Sequence, residues 1–158
     1  MLCSVSSEEL AFLKKTEVTC QSRTVAFTPI RRAVLTLLYR HPSGLGAYDL
    51  LDLIKKVKPK SSPPTIYRAL AFLTDQGLAR KINCINVYVC CDRKKCEGHQ
   101  SGVFLVCPLC KSVSELVDTK IKAGIAKRLS ASGHTLDERK FEISAVCPAC
   151  QTDCAAGL

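Results

Sequence analysis

Pro63-Pro64-Thr65-Ile66-Tyr67-Arg68-Ala69-Leu70-Ala71-Phe72-Leu73-Thr74-Asp75-Gln76-Gly77 is the stretch on which the fold turns. Ser61 to Thr65 makes a short break, and Ile66, Ala69, Leu70 and Leu73 then recur at the spacing of one helix face, predicting a helix from Pro64 to Gln76 that Gly77 ends. On a wheel of about 100° per residue these apolar positions cluster, leaving Arg68 roughly opposite and Tyr67 on the flank. The pattern changes directly after Gly77: Ala79–Ile82 and Val87–Cys91 read as strands around a turn at Asn83–Asn86. Helices followed at once by a small hairpin predict a winged helix.

Working outward toward the N-terminus, three more helices are predicted. Ser6 or Ser7 caps the first, of about 14 residues, with Glu8 and Glu9 in its first turn facing the positive end of the helix dipole. Thr28-Pro29 opens the second, whose Ile30, Val34, Leu37 and Leu38 share a face until His41-Pro42-Ser43-Gly44 ends it. The third begins near Ala47, carries Leu50, Leu51, Ile54 and Val57 on one stripe, and stops before Pro59. Toward the C-terminus, Asp92–Gly98 has no periodicity and reads as a linker. Beyond it, Val103–Val106, Ser112–Val117 and Arg139–Val146 read as strands and Thr119–Ser132 as a helix capped by Gly133. The expectation is an α+β chain: a winged-helix domain over residues 1–91, a hinge over 92–98, and a small α/β domain over 99–153 with a four-cysteine zinc site.

Composition narrows the function. In 158 residues, 47% hydrophobic and 23% charged, there is room for one ordinary domain or two small ones and none for a large enzyme. Apolar runs are short and broken by charge, so no membrane span is predicted. The start, Met1-Leu2-Cys3 followed by Ser4-Val5-Ser6-Ser7-Glu8-Glu9, lacks the basic and apolar regions of a secretory signal, so a cytoplasmic protein is expected. The net charge of +9 is unevenly placed: residues 1–91 hold 13 Lys and Arg against 6 Asp and Glu, and residues 92–158 hold 10 against 8. A basic first half points to a polyanion, most simply nucleic acid, and an Arg and a Tyr on the outer face of a helix suit the major groove. Arg68 and Tyr67 are thus expected to touch DNA together with Thr65, while Arg31, Arg32 and Lys60 would add phosphate contacts.

Eleven cysteines in a reducing compartment argue for metal or redox chemistry rather than disulfides. Cys107-Pro108-Leu109-Cys110 and Cys147-Pro148-Ala149-Cys150 each follow a strand with two residues between the thiols. That spacing turns both sulfurs toward one point, and two such knuckles complete a tetrahedron of thiolates around Zn²⁺. The 36 residues between the pairs exceed a simple zinc ribbon, so a helix must be inserted there. A redox Cys-x-x-Cys normally occurs once, at a helix start, which fits less well. Cys3, Cys20 and Cys154 have no partner at ligand spacing.

Ala47-Tyr48-Asp49-Leu50-Leu51-Asp52-Leu53, then Pro63-Pro64-Thr65-Ile66-Tyr67-Arg68-Ala69-Leu70, then Gly77-Leu78 and the paired Cys-x-x-Cys together resemble the ferric uptake regulator family, most nearly its zinc-responsive members. The resemblance runs from about residue 7 to about 153. It implies a homodimeric, metal-dependent transcriptional repressor that binds a palindromic DNA operator and controls metal-uptake genes, with a C-terminal dimerisation domain. It also implies a second, regulatory metal at the hinge, with Cys91, His99 and Glu115 as ligands. Position 80, where zinc-type members have His, is Arg80, which stays protonated and cannot ligate. The site then has three protein ligands and water, or Cys96 or Cys84 completes it. A thiolate with imidazole and carboxylate favours zinc over iron(II) or manganese(II).

Three other readings compete. An iron, manganese or peroxide sensor of the same family is opposed by the Cys91 thiolate. A Cys-x-x-Cys redox enzyme lacks a nucleophile–base pair, and no enzyme is expected. A zinc-ribbon RNA-binding module would have little stacking surface, since aromatics are 6% and Trp is absent.

Overall fold

The computed structural model describes residues 6–91, 103–137 and 141–155, apart from the side chains of 153–155. Four helices come first: α1 (Ser7–Ser22), α2 (Pro29–Arg40), α3 (Ala47–Lys55) and α4 (Pro63–Asp75). Strands β1 (Ala79–Ile82), β2 (Val87–Cys90), β3 (Val103–Val106) and β4 (Val113–Leu116) follow, then α5 (Thr119–Ala131), β5 (Glu142–Ser144) and α6 (Pro148–Ala155). The chain divides into two compact units. The first comprises residues 1–81 and 87–92; the second comprises 82–86, the tip of the β1–β2 hairpin, and 93–158.

In the first unit the apolar stripes read from the sequence meet in one core, except that α3 ends at Lys55 and leaves Val57, expected on its stripe, 82% exposed. Val34, Leu35 and Leu38 of α2, Leu50 of α3, and Ile66, Leu70 and Leu73 of α4 are fully buried. Ser6 caps α1 by accepting the Glu9 N–H at 3.1 Å. Glu9 itself is buried, and the Arg40 guanidinium grips both its carboxylate oxygens, Nε lying 3.1 and 3.0 Å away. A buried charge left without such a partner would be strongly destabilising, so this pair ties α1 to α2. Thr28 occupies the N-cap of α2, as its sequence suggests, but its hydroxyl makes no cap bond there. Pro29 has no N–H to be capped, which removes part of the need.

Gly77, at φ +66°, turns the chain out of α4, and Leu78 N–H closes the end on Leu73 O at 2.8 Å. The hairpin gains a third partner that periodicity could not show. Leu45 exchanges backbone hydrogen bonds with Tyr88 at 3.0 and 2.8 Å, making a one-residue bridge to β2. Gly44 before it takes φ +85°, and a Cβ there would lie 2.7 Å from Val87 Cγ2 and 2.9 Å from Tyr88 O. Only glycine lets the turn approach β2 so closely.

The second unit is a three-stranded sheet in the order β4-β3-β5, with β3 antiparallel to β4 and parallel to β5. Helix α5 makes the crossover, capped by Asp118, which accepts from Lys120 N–H at 2.7 Å and Ile121 N–H at 3.2 Å. Phe104 sits opposite Glu115 on one side and Glu142 on the other, so these three share a row across the sheet. Val103, Phe104, Val106 and Cys107 are buried, but α5 buries none of its side chains. Helix α6, absent from the sequence-based expectation, begins inside the second cysteine knuckle.

Candidate metal centre and nucleic-acid interface

The first knuckle is a tight connection between β3 and β4. Cys107 N–H donates to Ser112 O at 3.0 Å and Lys111 N–H to Cys107 O at 3.0 Å, with Lys111 in the left-handed region at φ +61°. The second knuckle starts α6: Gln151 N–H reaches Cys147 O at 3.0 Å, and Pro148 occupies the first helical position. The two turns bring the four Sγ atoms of Cys107, Cys110, Cys147 and Cys150 within 4.8 Å of one another. Cys110 Sγ and Cys147 Sγ are 3.6 Å apart. A zinc–thiolate tetrahedron with bonds of about 2.3 Å has sulfur–sulfur edges of about 3.8 Å, so the cluster fits that ion.

The electrostatics of the cluster agree. The Cys107 thiol is lowered to about 6, foremost by the backbone N–H groups of Cys110 and Cys147 aimed at its sulfur. Cys110 is also lowered, first of all by the Ser112 hydroxyl. Cys150 is pushed up, because the Cys147 and Cys110 sulfurs hold its proton in place. Packed thiols lose protons in turn, each thiolate opposing the next, and a divalent cation among them reverses that order. Four sulfurs with no open position make a structural rather than a catalytic donor set.

The other expected ligands are placed differently. Cys91 lies just beyond β2, its N–H donating to Leu78 O at 2.9 Å, and Glu115 stands in the middle of β4. His99 and Cys96 lie outside the described residues. Arg80, on β1, is buried. Cys84 is an exposed residue of the hairpin tip, its thiol raised by desolvation and then by the neighbouring Glu142 carboxylate. A thiol held protonated beside a carboxylate is a poor ligand without a metal already present.

Glu142 itself escaped the sequence reading. Its carboxylate accepts from Asn83 N–H at 2.8 Å, Asn83 Nδ2–H at 3.0 Å and Cys84 N–H at 3.1 Å, clasping the tip within the second unit. Partial desolvation pushes its pKa up, but the Asn83 and Cys84 donors outweigh this and hold the carboxyl below its usual range. The partners are 58 and 59 residues apart, and no local pattern connects them.

On α4 the buried face leaves Tyr67 46% exposed, with Arg68 exposed beside it. Thr65 Oγ1 lies 3.0 Å from Ser62 Oγ in the first turn. Lys60 and Lys58, with Ile30, Pro59, Ser61 and Thr65, line an open groove of about 510 Å³ at the start of α4. The two arginines expected on phosphates both have partners inside the first unit. The Arg31 guanidinium stacks 3.6 Å over the Phe72 ring and donates to Ala26 O. Arg32 pairs with Glu17 and lies 5.5 Å over the Phe27 ring. Such contacts leave part of a guanidinium's donors spare but lower its freedom to follow a phosphate.

A model of the Ferric uptake regulator family matches residues 22–144, most of the chain. The chain belongs to this family. It is 35% identical over 138 residues to the Zinc uptake regulation protein of Escherichia coli (strain K12), covering 87% of this chain and 80% of that protein. Among solved structures it resembles a zinc uptake regulator complexed with zinc and DNA, at 32% identity and a TM-score of 0.82, over 96% of this chain and 99% of the other. It also resembles holo XcZur, at 32% identity and a TM-score of 0.75, over 90% and 98% of the two chains. Among the described residues, no helix is long and apolar enough to cross a membrane.

Within the ferric uptake regulator family frame, two residues that sequence reasoning missed are Ser112 and Glu142. Ser112 carried a weak signal, standing two places after the second cysteine of the first knuckle. Glu142 carried none.

Proposed function

We propose that this chain is a zinc-responsive, DNA-binding transcriptional repressor that works as a homodimer in the cytoplasm on a palindromic operator of metal-uptake genes. It acts by binding rather than by turnover. The likeness to a regulator bound to zinc and DNA carries this reading, and the four-sulfur cluster supports it independently. Cys107, Cys110, Cys147 and Cys150 would hold a structural Zn²⁺, which supplies the positive charge that four adjacent thiolates require. Cys91, His99 and Glu115 are the proposed regulatory ligands, with Arg80 leaving the fourth place to water or to another thiol. Val117 is 55% exposed, and Ile121, Ile125 and Leu129 of α5 are only half-buried, which supports a second copy as their cover.

The chain's own residues would divide the work. Tyr67, Arg68 and Thr65 face the operator bases and backbone, and Lys60 with Lys58 meets phosphate. If the DNA-competent state is populated at about 1% without regulatory metal, apparent affinity falls about 100-fold. The test counts zinc per chain before and after mild chelation while following binding to a two-fold-symmetric operator. The reading expects one zinc retained and a second lost together with operator binding. Operator binding indifferent to zinc would contradict it.

A further inference from the structure

Zn²⁺ with four thiolates carries two excess negative charges, so such a centre is favoured by hydrogen-bond donors aimed at its sulfurs. Cys147 N–H supplies one, 3.5 Å from Cys107 Sγ. The side chain placed to supply another is Ser112. The pairing of Val106 with Val113 extends to Cys107 N–H on Ser112 O, and the left-handed Lys111 folds the intervening residues back. Ser112 is thereby set at the mouth of β4 with its Oγ 3.1 Å from Cys110 Sγ. Lys111, the nearest cation in sequence, instead donates from Nζ to Pro108 O at 2.9 Å.

We propose that Ser112 is a positioning residue of the metal centre, its hydroxyl orienting the Cys110 sulfur and donating to it once it is a thiolate. In the free thiol the S–H donates to Ser112 Oγ. When the proton leaves on metal binding, the hydroxyl rotates and the direction of the bond reverses, which a hydroxyl can do and a methyl cannot. This deepens the zinc reading of the four-cysteine cluster and rests on it.

The test compares Ser112→Ala and Ser112→Thr with the wild-type full chain in two readouts. In competition with a chromogenic chelator, Ser112→Ala should bind zinc about 10–100-fold more weakly, and Ser112→Thr close to the wild-type value. With Co²⁺ in the four-cysteine site, the thiolate-to-metal charge-transfer band should move to lower energy in Ser112→Ala and return in Ser112→Thr. Wild-type competition and an unmoved band in Ser112→Ala would overturn the proposal. So would a Ser112→Thr as weak as Ser112→Ala, which would mean packing rather than the hydroxyl. A wild-type chain that retains no zinc at all would instead overturn the metal reading beneath it.

Discussion

The two units are held together by different means. The first packs fully buried side chains from α2, α3 and α4 against one another, and the Glu9–Arg40 ion pair ties α1 to α2. The second buries Ile82, Val103, Phe104, Val106 and Cys107, while its helix α5 buries nothing. So few buried residues among those described offset little of the entropy of ordering such a segment, and a metal staple would add to what the core supplies. On the zinc reading proposed above, the four thiols would provide one. A metal held there would stand in for a core, so removing it should undo one unit and spare the other.

The largest effect should come from Cys107→Ser. The site scarcely exists in the unfolded chain, so zinc affinity acts as folding energy, on the order of 10 kcal/mol in zinc-finger peptides. Metal analysis and sedimentation should show zinc and dimer lost together. Leu70→Ala addresses the opposite unit and should cost about 2–5 kcal/mol. Its denaturation should move the first unit's transition while zinc content holds; a variant that loses zinc equally would erase the distinction.

The difference between the units also explains what could be read in advance. Helices α2 to α4 were legible because their apolar residues recur on one face, and α1 by its capping serine and first-turn glutamates; Thr28-Pro29 and Gly77 mark further ends. The thiol cluster was legible because each knuckle is a four-residue pattern. Helix α6 was not, since Pro148-Ala149-Cys150-Gln151-Thr152 has no apolar period and begins inside a cysteine knuckle. The Leu45–Tyr88 bridge is a single residue long, too short for any alternation. The Glu142 clasp joins residues far apart in sequence, where only the folded chain sets the pairing. Arg31 and Arg32 were read as charges alone, whereas the rings of Phe72 and Phe27 nearby give them work inside the first unit.

A smaller effect is expected from Arg68→Ala. Both units should keep their stability, but operator affinity should fall by about 1–3 kcal/mol if Arg68 reads a base, with specificity relaxed at one position of each half-site. Fluorescence anisotropy across operator variants checks this. Unchanged affinity would remove Arg68 from the interface.

The smallest effect belongs to Glu142→Gln, no more than about 1 kcal/mol for a largely solvated clasp. The new amide keeps one acceptor but turns an NH₂ toward donor N–H groups. Because the folded carboxyl lies below its usual range, its contribution is present above the unfolded pKa and fades as pH falls through the folded value. The protection of the Asn83 and Cys84 amides, taken relative to their intrinsic exchange at each pH, should therefore fall in acid in the wild type, and Glu142→Gln should show the lower protection already at neutral pH.

Hydrogen exchange on the full chain, zinc-loaded and then stripped by a strong chelator, tests the central contrast most directly. Removing zinc should abolish protection in β3, β4 and β5 while α2 and α4 keep theirs. Protection that survives in the sheet, or vanishes from both units together, would contradict the account.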